Sequence, residues 1–597
     1  YPFVESGKTE LFEKKVSEIG ENLLENINPE KPNKVLEQDL QYITADYLIS
    51  HIDNAFKVWR RSPFASRLSY KEFIETILPY RYRNEPLDIS SELYFRHFYS
   101  VFHSPVSINI NETVRRFNFY TYCMDCYENE GKYLGDFGVY DILQFYQFEC
   151  ERHSIWSCKV LNRCGIPAYY NFTPSWRNRD RHHFWVSVRD TSGKFMPFTP
   201  KWQLLNDTAY FNRTSKVFRK TFKIQNESPY KIKHENEKVP KVFNNPFIKD
   251  VSAEYHEVTD LTVPITIIPE NKGLGYLGIF TPTGWKPVAW GTINKKEGII
   301  EFKDVPVNIM YIAGFYENKE LVPIGRPFYI NSKKEVEEIK ADNKNRTDIT
   351  VTRKYPQKEK MINRMKEMVG ARIEGANNPD FPDAVIIHVF SEQELSDLVV
   401  RAIDINKRGK FRYIRCVPPK DKMVNIAIME AYKSVKNRED LNAGSQPYIT
   451  SPEEIFLNEE MQLSLINSKP FGEDTTLVNI TDGNMETYYK GFSAILDLGR
   501  PERITQIRFA PRNANNSIVA GNSYELFYYD DKWRSAGRQR AKYNYLEYKN
   551  LPRNTVYWLR NINGGKEELA FIYKNGKQVF VNHDKIDSIK YLESDEL

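Results

Sequence analysis

Apolar residues recur at helical spacing early in the chain. Phe12, Val16, Ile19, Leu23 and Ile27 fall three and four apart. Ile43, Tyr47, Leu48, Ile52, Phe56 and Trp59 repeat the pattern, so the spacing predicts helices across residues 8–60. A further helix stops at Leu78-Pro79, because proline disfavours helical geometry in the residue before it. Residues 140–164 read as one more helix, carrying Cys150, and Gly165 and Pro167 suit its end. The period then changes to two. Ala168 to Phe172 reads as a strand. From His183 to Arg189, His183, Trp185 and Ser187 take one face and Phe184, Val186 and Val188 the other. Thr191-Ser192-Gly193 is a turn, and Phe195 to Thr199 returns. A helix followed by antiparallel strands predicts an α+β domain.

Residues 215–255 dissolve into Lys, Asn, Glu and Pro and read as a connector. Over residues 258–332, short β runs punctuated by Gly and Pro follow with no helical period, which predicts a small Ig-like β-sandwich. Residues 332–348 are polar and charged. Strand patterns dominate again beyond residue 357, clearest at 385–389, 413–417, 493–498, 504–509, 524–528 and 557–559. The expected organisation is multidomain, α+β followed by all-β. A helical region spans 1–115, an α+β core 116–250, a small sandwich 251–335 and a linker 336–356. Two further β-sandwiches follow, at 357–438 and 439–597.

A chain of 597 residues is too long for one core. Its net charge of +5 is small for that length and indicates no dedicated nucleic-acid surface. No apolar run approaches the ~20 residues needed to span a bilayer. The chain starts at Tyr1 rather than Met, so a processed form is expected, with any signal segment or lipid-anchor cysteine upstream. Six cysteines are too few for a disulfide scaffold. Cys123-x-x-Cys126 has zinc-knuckle spacing, but its surroundings read as helix and no second close Cys or His pair follows. No metal is assigned to it.

Chemistry concentrates in residues 150–200. A cysteine opening a helix and a histidine entering a strand can form a thiolate–imidazolium pair, which attacks amides. Free cysteine has a pKa of ~8.5, and a helix N-terminus together with an imidazolium favours the thiolate. The histidine then protonates the leaving amine. Cys150, the Gly165-Ile166-Pro167-Ala168 stop, His183-Phe184-Trp185 and Thr199-Pro200 follow in that order. This run resembles the transglutaminase-like (papain-like cysteine) core. The resemblance implies Cys150 as nucleophile, His183 as acid/base and Thr199 at the orienting position, where the family usually has Asp. Thr brings no charge to the imidazole. Phe148-Glu149 also stands where the family commonly has Gly two residues before the nucleophile, and Glu149 would raise the thiol pKa. Gln144 and Gln147 are candidate oxyanion donors or exposed helix residues. Trp176 and Trp185 either line a cleft or fill the core. His153 is a lesser candidate neighbour of Cys150, and Cys158 and Cys164 read as core thiols.

Asn479-Ile480-Thr481-Asp482-Gly483, Thr487, Asp497-Leu498-Gly499 and Ile504-Thr505-Gln506-Ile507 resemble the discoidin, or coagulation factor 5/8 type C, jelly-roll module. Residues 411–432 resemble its closing strands, which here come first. That resemblance implies glycan binding through end loops, sometimes with a structural Ca²⁺. Arg512, Asn513, Asn515 and Trp533 are the candidate glycan contacts, with turn and core roles as the alternative. The whole layout is similar to multidomain transglutaminase-like proteins of gut Bacteroidetes, which implies a secreted, periplasmic or outer-membrane-anchored setting. Two functions stay open. One is a cysteine amide hydrolase acting on a peptide or glycopeptide, with glycan-binding sandwiches and no catalytic cofactor. The other is an inactive glycan- or peptide-binding surface protein on a degenerate version of the same fold.

Overall fold

The computed structural model describes residues 38–83, 87, 109–124, 150–178, 180–200, 205, 208–266, 269–395, 398, 400–406, 409–436, 463–513, 516–564 and 568–583. It is multidomain and mostly β-sheet, with helices towards the start of the chain. Two compact units divide the chain. One holds residues 1–279, 285–325 and 330–336, and the other holds 280–284, 326–329 and 337–597.

In the first unit, the expected helix runs from Ala45 to Arg61 (α1). Thr44 caps it by accepting from the Tyr47 amide at 3.2 Å. Its buried face, Ala55 and Val58, packs on Ala65, Leu68, Phe73 and Ile77. Phe73 belongs to α2 (Tyr70–Thr76), which starts in a capping box between Ser69 and Glu72. α3 (Ile110–Met124) sends Val114 and Phe117 into the main core. α4 (Cys150–Arg163) is buried on every side from Ser154 onward, as befits a central helix. Trp156 meets Phe117 of α3, and Arg163 reaches His51 of α1.

α4 ends at Gly165, which takes φ +76°, a conformation costly for any residue with a Cβ. Its carbonyl accepts from the Ser62 hydroxyl at the end of α1. A methyl group at Gly165 would lie 2.4 Å from the Ser62 Cβ. Gly165→Ala should therefore destabilise the first unit by about 2 kcal/mol or more, from backbone strain plus the clash. Thermal unfolding monitored by tryptophan fluorescence reads that loss, and an unchanged midpoint would contradict it.

The chain then enters an antiparallel sheet of β1 (Ala168–Thr173), β2 (His183–Arg189), β3 (Phe195–Phe198), β4 (Phe218–Lys220) and β5 (Ile248–Asp250), in spatial order β3-β2-β1-β4-β5. The first three strands were expected. β4 and β5 come from the segment read as a connector. Asn162 fixes the helix–strand junction. Its side chain exchanges two hydrogen bonds with the backbone of Ala168, at 2.8 and 2.9 Å, and donates to Tyr82 at 2.7 Å.

Between residues 258 and 323 the strands hydrogen-bond into one continuous antiparallel sheet. Leu274–Thr281 is buried along its whole length, so both faces are covered. Gly275 and Gly278 let Ile300 and Leu321 lie against that strand.

In the second unit, strands from both sides of residue 439 share the same two sheets. Phe411–Val417 pairs with Ala494–Glu502, and Val424–Ser434 pairs with Gln506–Pro511. Ile373, Ile414, Leu496, Ile426, Ile507 and Phe509 pack together between those sheets. The closing-type and opening-type strands thus build one sandwich, not a pair divided at 438/439. A separate five-stranded sheet holds Ser523–Tyr529, Trp533–Arg540, Tyr557–Asn561, Ala570–Lys574 and Lys577–Phe580. The segment read as a linker contains the strand Asp342–Val351, paired with Leu546–Arg553. Ile349 and Val351 turn into the core under Tyr524 and Leu526 while the polar residues stay outside.

Candidate active site

Cys150 opens α4 and is half-buried. The helix packs on β1 and β2, and a tight turn at Gly165 joins it to β1. A 14-residue helix rises about 21 Å and the six-residue β1 about 20 Å, so both run the depth of the layer. The helix therefore begins at the end of the layer where β1 finishes. β1 finishes at Thr173, and Thr173 pairs with His183, the first residue of β2. Glu151, beside Cys150, accepts from the Tyr170 hydroxyl of β1 at 3.0 Å and pairs with Arg83 at 2.9 Å.

His183 shares its strand face with Trp185, while Val186 and Val188 pack against α4 on the other. Its imidazole is buried in an aromatic slot. Trp176 stacks on it with centroids 5.0 Å apart, Trp185 lies near-parallel at 6.0 Å, and the Tyr210 ring meets it edge-on at 5.8 Å. Nε2 faces two hydroxyl oxygens, Thr199 Oγ1 and the Tyr210 hydroxyl, each at 3.4 Å. Thr199 follows β3 directly. Val186 pairs with Phe198, so Thr199 lies opposite Trp185 and on the face of His183. Tyr210 sits on the short helix α5 (Thr208–Phe211).

The same sheet face continues into a polar network that is buried at Asn171, Ser187 and Arg219 and reaches solvent at Glu254. Trp185 Nε1 donates to the Tyr255 hydroxyl at 3.0 Å. Asn171 donates to Ser187 at 2.8 Å and accepts from Arg219 Nε at 2.9 Å. Arg219 makes a two-bond pair with Glu254, at 3.0 and 2.6 Å.

The other histidines and cysteines have different roles. The His153 ring bonds to the Pro200 carbonyl, and burial of its nitrogens lowers its pKa to about 4. It is a neutral tether between the first turn of α4 and the residue after Thr199. His182 is exposed and packs edge-on to Phe184. Burial pushes the thiols of Cys158 and Cys164 well above the ordinary cysteine range, so neither is a nucleophile at neutral pH.

His183, Thr199, Trp176 and Trp185 are thus brought together on one face of the sheet, whereas the helix that Cys150 opens packs on the other face. Gln144, Gln147, Cys126, the Cys123 side chain and Asn515 lie outside the described residues. Tyr210, Arg219, Glu254 and Tyr255 were not singled out from sequence. They come from stretches without a periodic pattern, and only the aromatic pair Tyr210-Phe211 hinted at burial.

The candidate glycan contacts do not converge. Arg512 lies over the Tyr488 ring at 3.6 Å, just after the strand Gln506–Pro511. Asn513 is buried, donating to the Leu398 carbonyl and to Ser517, each at 3.2 Å, as a turn residue does. Trp533 belongs to a different sheet and packs on Tyr529 and Trp558. The discoidin-type residues are structural too. Asp497 receives Arg412 through two bonds of 3.1 Å and the Gly499 amide at 2.8 Å, with Gly499 at φ +78°. Asp482 accepts from the Asn484 amide and the Thr487 hydroxyl. Both carboxylates are committed to these partners, and no group of three or more His, Cys, Asp or Glu side chains converges among the described residues.

No helix among the described residues is long and apolar enough to cross a membrane. No protein-family model matches the chain, and no curated protein matches it.

Proposed function

We propose that the chain is an extracytoplasmic, transglutaminase-like cysteine amide hydrolase acting on a peptide or glycopeptide. The observation that carries this reading is the contact of His183 Nε2 with Thr199 at 3.4 Å, at the end of the layer where the helix of Cys150 begins. In this reading Thr199 orients Nε2, and Nδ1 is the nitrogen left to serve the thiol. In the proposed reaction the Cys150 proton moves to Nδ1 and the sulfur attacks the amide carbonyl carbon. The imidazolium then gives that proton to the leaving nitrogen as the C–N bond breaks. Water cleaves the resulting thioester and restores the thiol.

Burial of His183 between two indoles favours the second reading, an inactive binding protein in which the histidine is a packing residue. Labelling with iodoacetamide, followed by quantifying the Cys150 peptide, separates the two. An active pair makes Cys150 react at pH 6.5 about ten-fold faster than free cysteine, and His183→Ala removes the excess. A rate no higher than that of free cysteine would sink the hydrolase. Glycan binding that survives Cys150→Ala without hydrolysis would then favour the binding protein.

A further inference from the structure

We propose that Tyr210 is a second positioning residue for His183, and that it shares with Thr199 the work a carboxylate does in triads of this type. The inference rests on the amide-hydrolase reading. Both hydroxyl oxygens stand 3.4 Å from the same ring nitrogen, Nε2. The imidazole plane is already fixed, because Trp176 and Trp185 hold its faces. What remains open is the tautomer. Nδ1 can take the thiol proton only when the neutral ring carries its proton on Nε2. A carboxylate enforces that state because it only accepts. A single hydroxyl can donate as well as accept and enforces it weakly. Two oxygens converging on one N–H favour it more strongly, and they also solvate that N–H once the ring is charged.

Tyr210 is built into this position. Phe211, the next residue on α5, is buried against Trp185 at 5.1 Å and held by the Thr214 hydroxyl, which donates to its carbonyl at 2.7 Å. The phenol therefore has little freedom to leave the imidazole. Thr199 is buried, and among the described residues His183 is its side-chain partner. The elements around His183 carry other ionisable groups. These are Glu151, Arg152 and His153 on α4, Arg177, Asp180 and Arg181 in the turn after Trp176, His182 beside it, and Arg213 after α5. None of them replaces a hydroxyl at Nε2 in the contacts above, so the substitutions below change that contact while leaving the surrounding charges in place.

The test is the pH profile of Cys150 alkylation by iodoacetamide in the full chain, from pH 5 to 9, read on the Cys150 peptide. The wild type is expected to inflect well below the free-thiol value of ~8.5. Tyr210→Phe keeps the ring and removes the hydroxyl. It should move the inflection up by about one pH unit, with a rate about ten-fold lower at pH 6.5 and an unchanged melting midpoint. Thr199→Val should act similarly, and the double variant should approach His183→Ala. If Tyr210→Phe lowers the melting midpoint, 4-fluorophenylalanine at 210 keeps the shape, puts a very weak acceptor that cannot ionise where the hydroxyl stood, and should still raise the inflection. A Tyr210 variant whose profile overlays the wild type, while His183→Ala shifts it, overturns the role of Tyr210 alone. A wild-type inflection at the free-thiol value that His183→Ala leaves in place overturns the hydrolase reading and this inference with it.

Discussion

Lowering the pH from 7 to 4.5 should bring the first unit close to unfolding. Three of its histidines are held neutral. Burial, reinforced by the charge of Arg163, lowers His51 to about 4. Burial lowers His153 to about 4 and His256 to about 3. His51 bonds to the Leu78 carbonyl at 2.7 Å and His256 to the Thr214 hydroxyl at 2.7 Å, so neither ring can leave without breaking a contact. In the unfolded chain each ring titrates near ~6.5. Between that value and the folded value, the unfolded state binds more protons. The stability these residues contribute is therefore complete above about pH 6.5 and is lost as pH falls towards 4. By pH 4.5 each accounts for about 2 kcal/mol, and three together for a large share of a typical domain's stability.

The second unit should respond with the opposite sign at two positions. Burial raises the carboxyl groups of Asp482 and Glu568, so the folded state holds their protons more tightly. Those groups lose destabilising charge as pH falls. Calorimetry at pH 7, 6, 5 and 4.5 should show the melting transition split, with the lower-temperature component moving down with acid. His51→Gln, which can still donate to the Leu78 carbonyl, should flatten that movement. A single transition independent of pH over this range would refute the assignment of neutral buried histidines.

The parts legible in sequence are those with an unbroken period. α1 follows from Tyr47, Leu48, Ile52 and Phe56, and β2 from the strict alternation of His183 to Val188. Gly165 marks the end of α4 because only glycine takes that φ beside Ser62 at no cost. The strand Val385–Val389 was likewise apolar enough to read directly. What failed to read was set by partners far away in the chain. β4 and β5 are three residues each, too short for any period, and are strands because β1 offers β4 an edge and β4 in turn offers one to β5. Asp342–Val351 looks like a charged linker because only Ile349 and Val351 face inward, and its partner lies some two hundred residues on. The single sandwich across residue 439 is a matter of pairing, which local pattern does not encode. At the site, Cys150, His183 and Thr199 were marked by motif, whereas Tyr210 and the Arg219–Glu254 pair enter only through tertiary packing. The motif-like Arg512, Asn513 and Trp533 instead hold turns and sheets.

Removing the carboxylate of Glu254 should be among the most damaging single changes in the first unit. Arg219 is buried, its guanidinium lying over the rings of Tyr169 at 4.8 Å and Phe195 at 4.3 Å. Its charge is balanced by the two bonds to Glu254, with Asn171 taking only the Nε proton. Glu254→Ala strands that charge, and because Glu254 itself reaches solvent the loss should fall below the ~3–5 kcal/mol of a fully buried pair, at about 2 kcal/mol. Replacing both partners by apolar residues, Arg219→Met with Glu254→Leu, removes the need for the pair and should recover most of the loss. The difference between single and double variants, measured by urea unfolding, is therefore the informative quantity. Near-additive losses would mean the pair is solvated and weak. The damage should also reach the site. Glu254 precedes Tyr255, whose hydroxyl accepts from Trp185, and Trp185 forms one wall of the His183 slot. Glu254→Ala should thus carry the alkylation profile of Cys150 towards that of a free thiol at temperatures where the variant is still folded. Glu254→Gln, which still accepts one bond from Arg219, should fall between the two. A Glu254→Ala protein that is less stable but keeps the wild-type profile would show that the polar network supports the sheet and leaves the orientation of His183 to the indoles and hydroxyls.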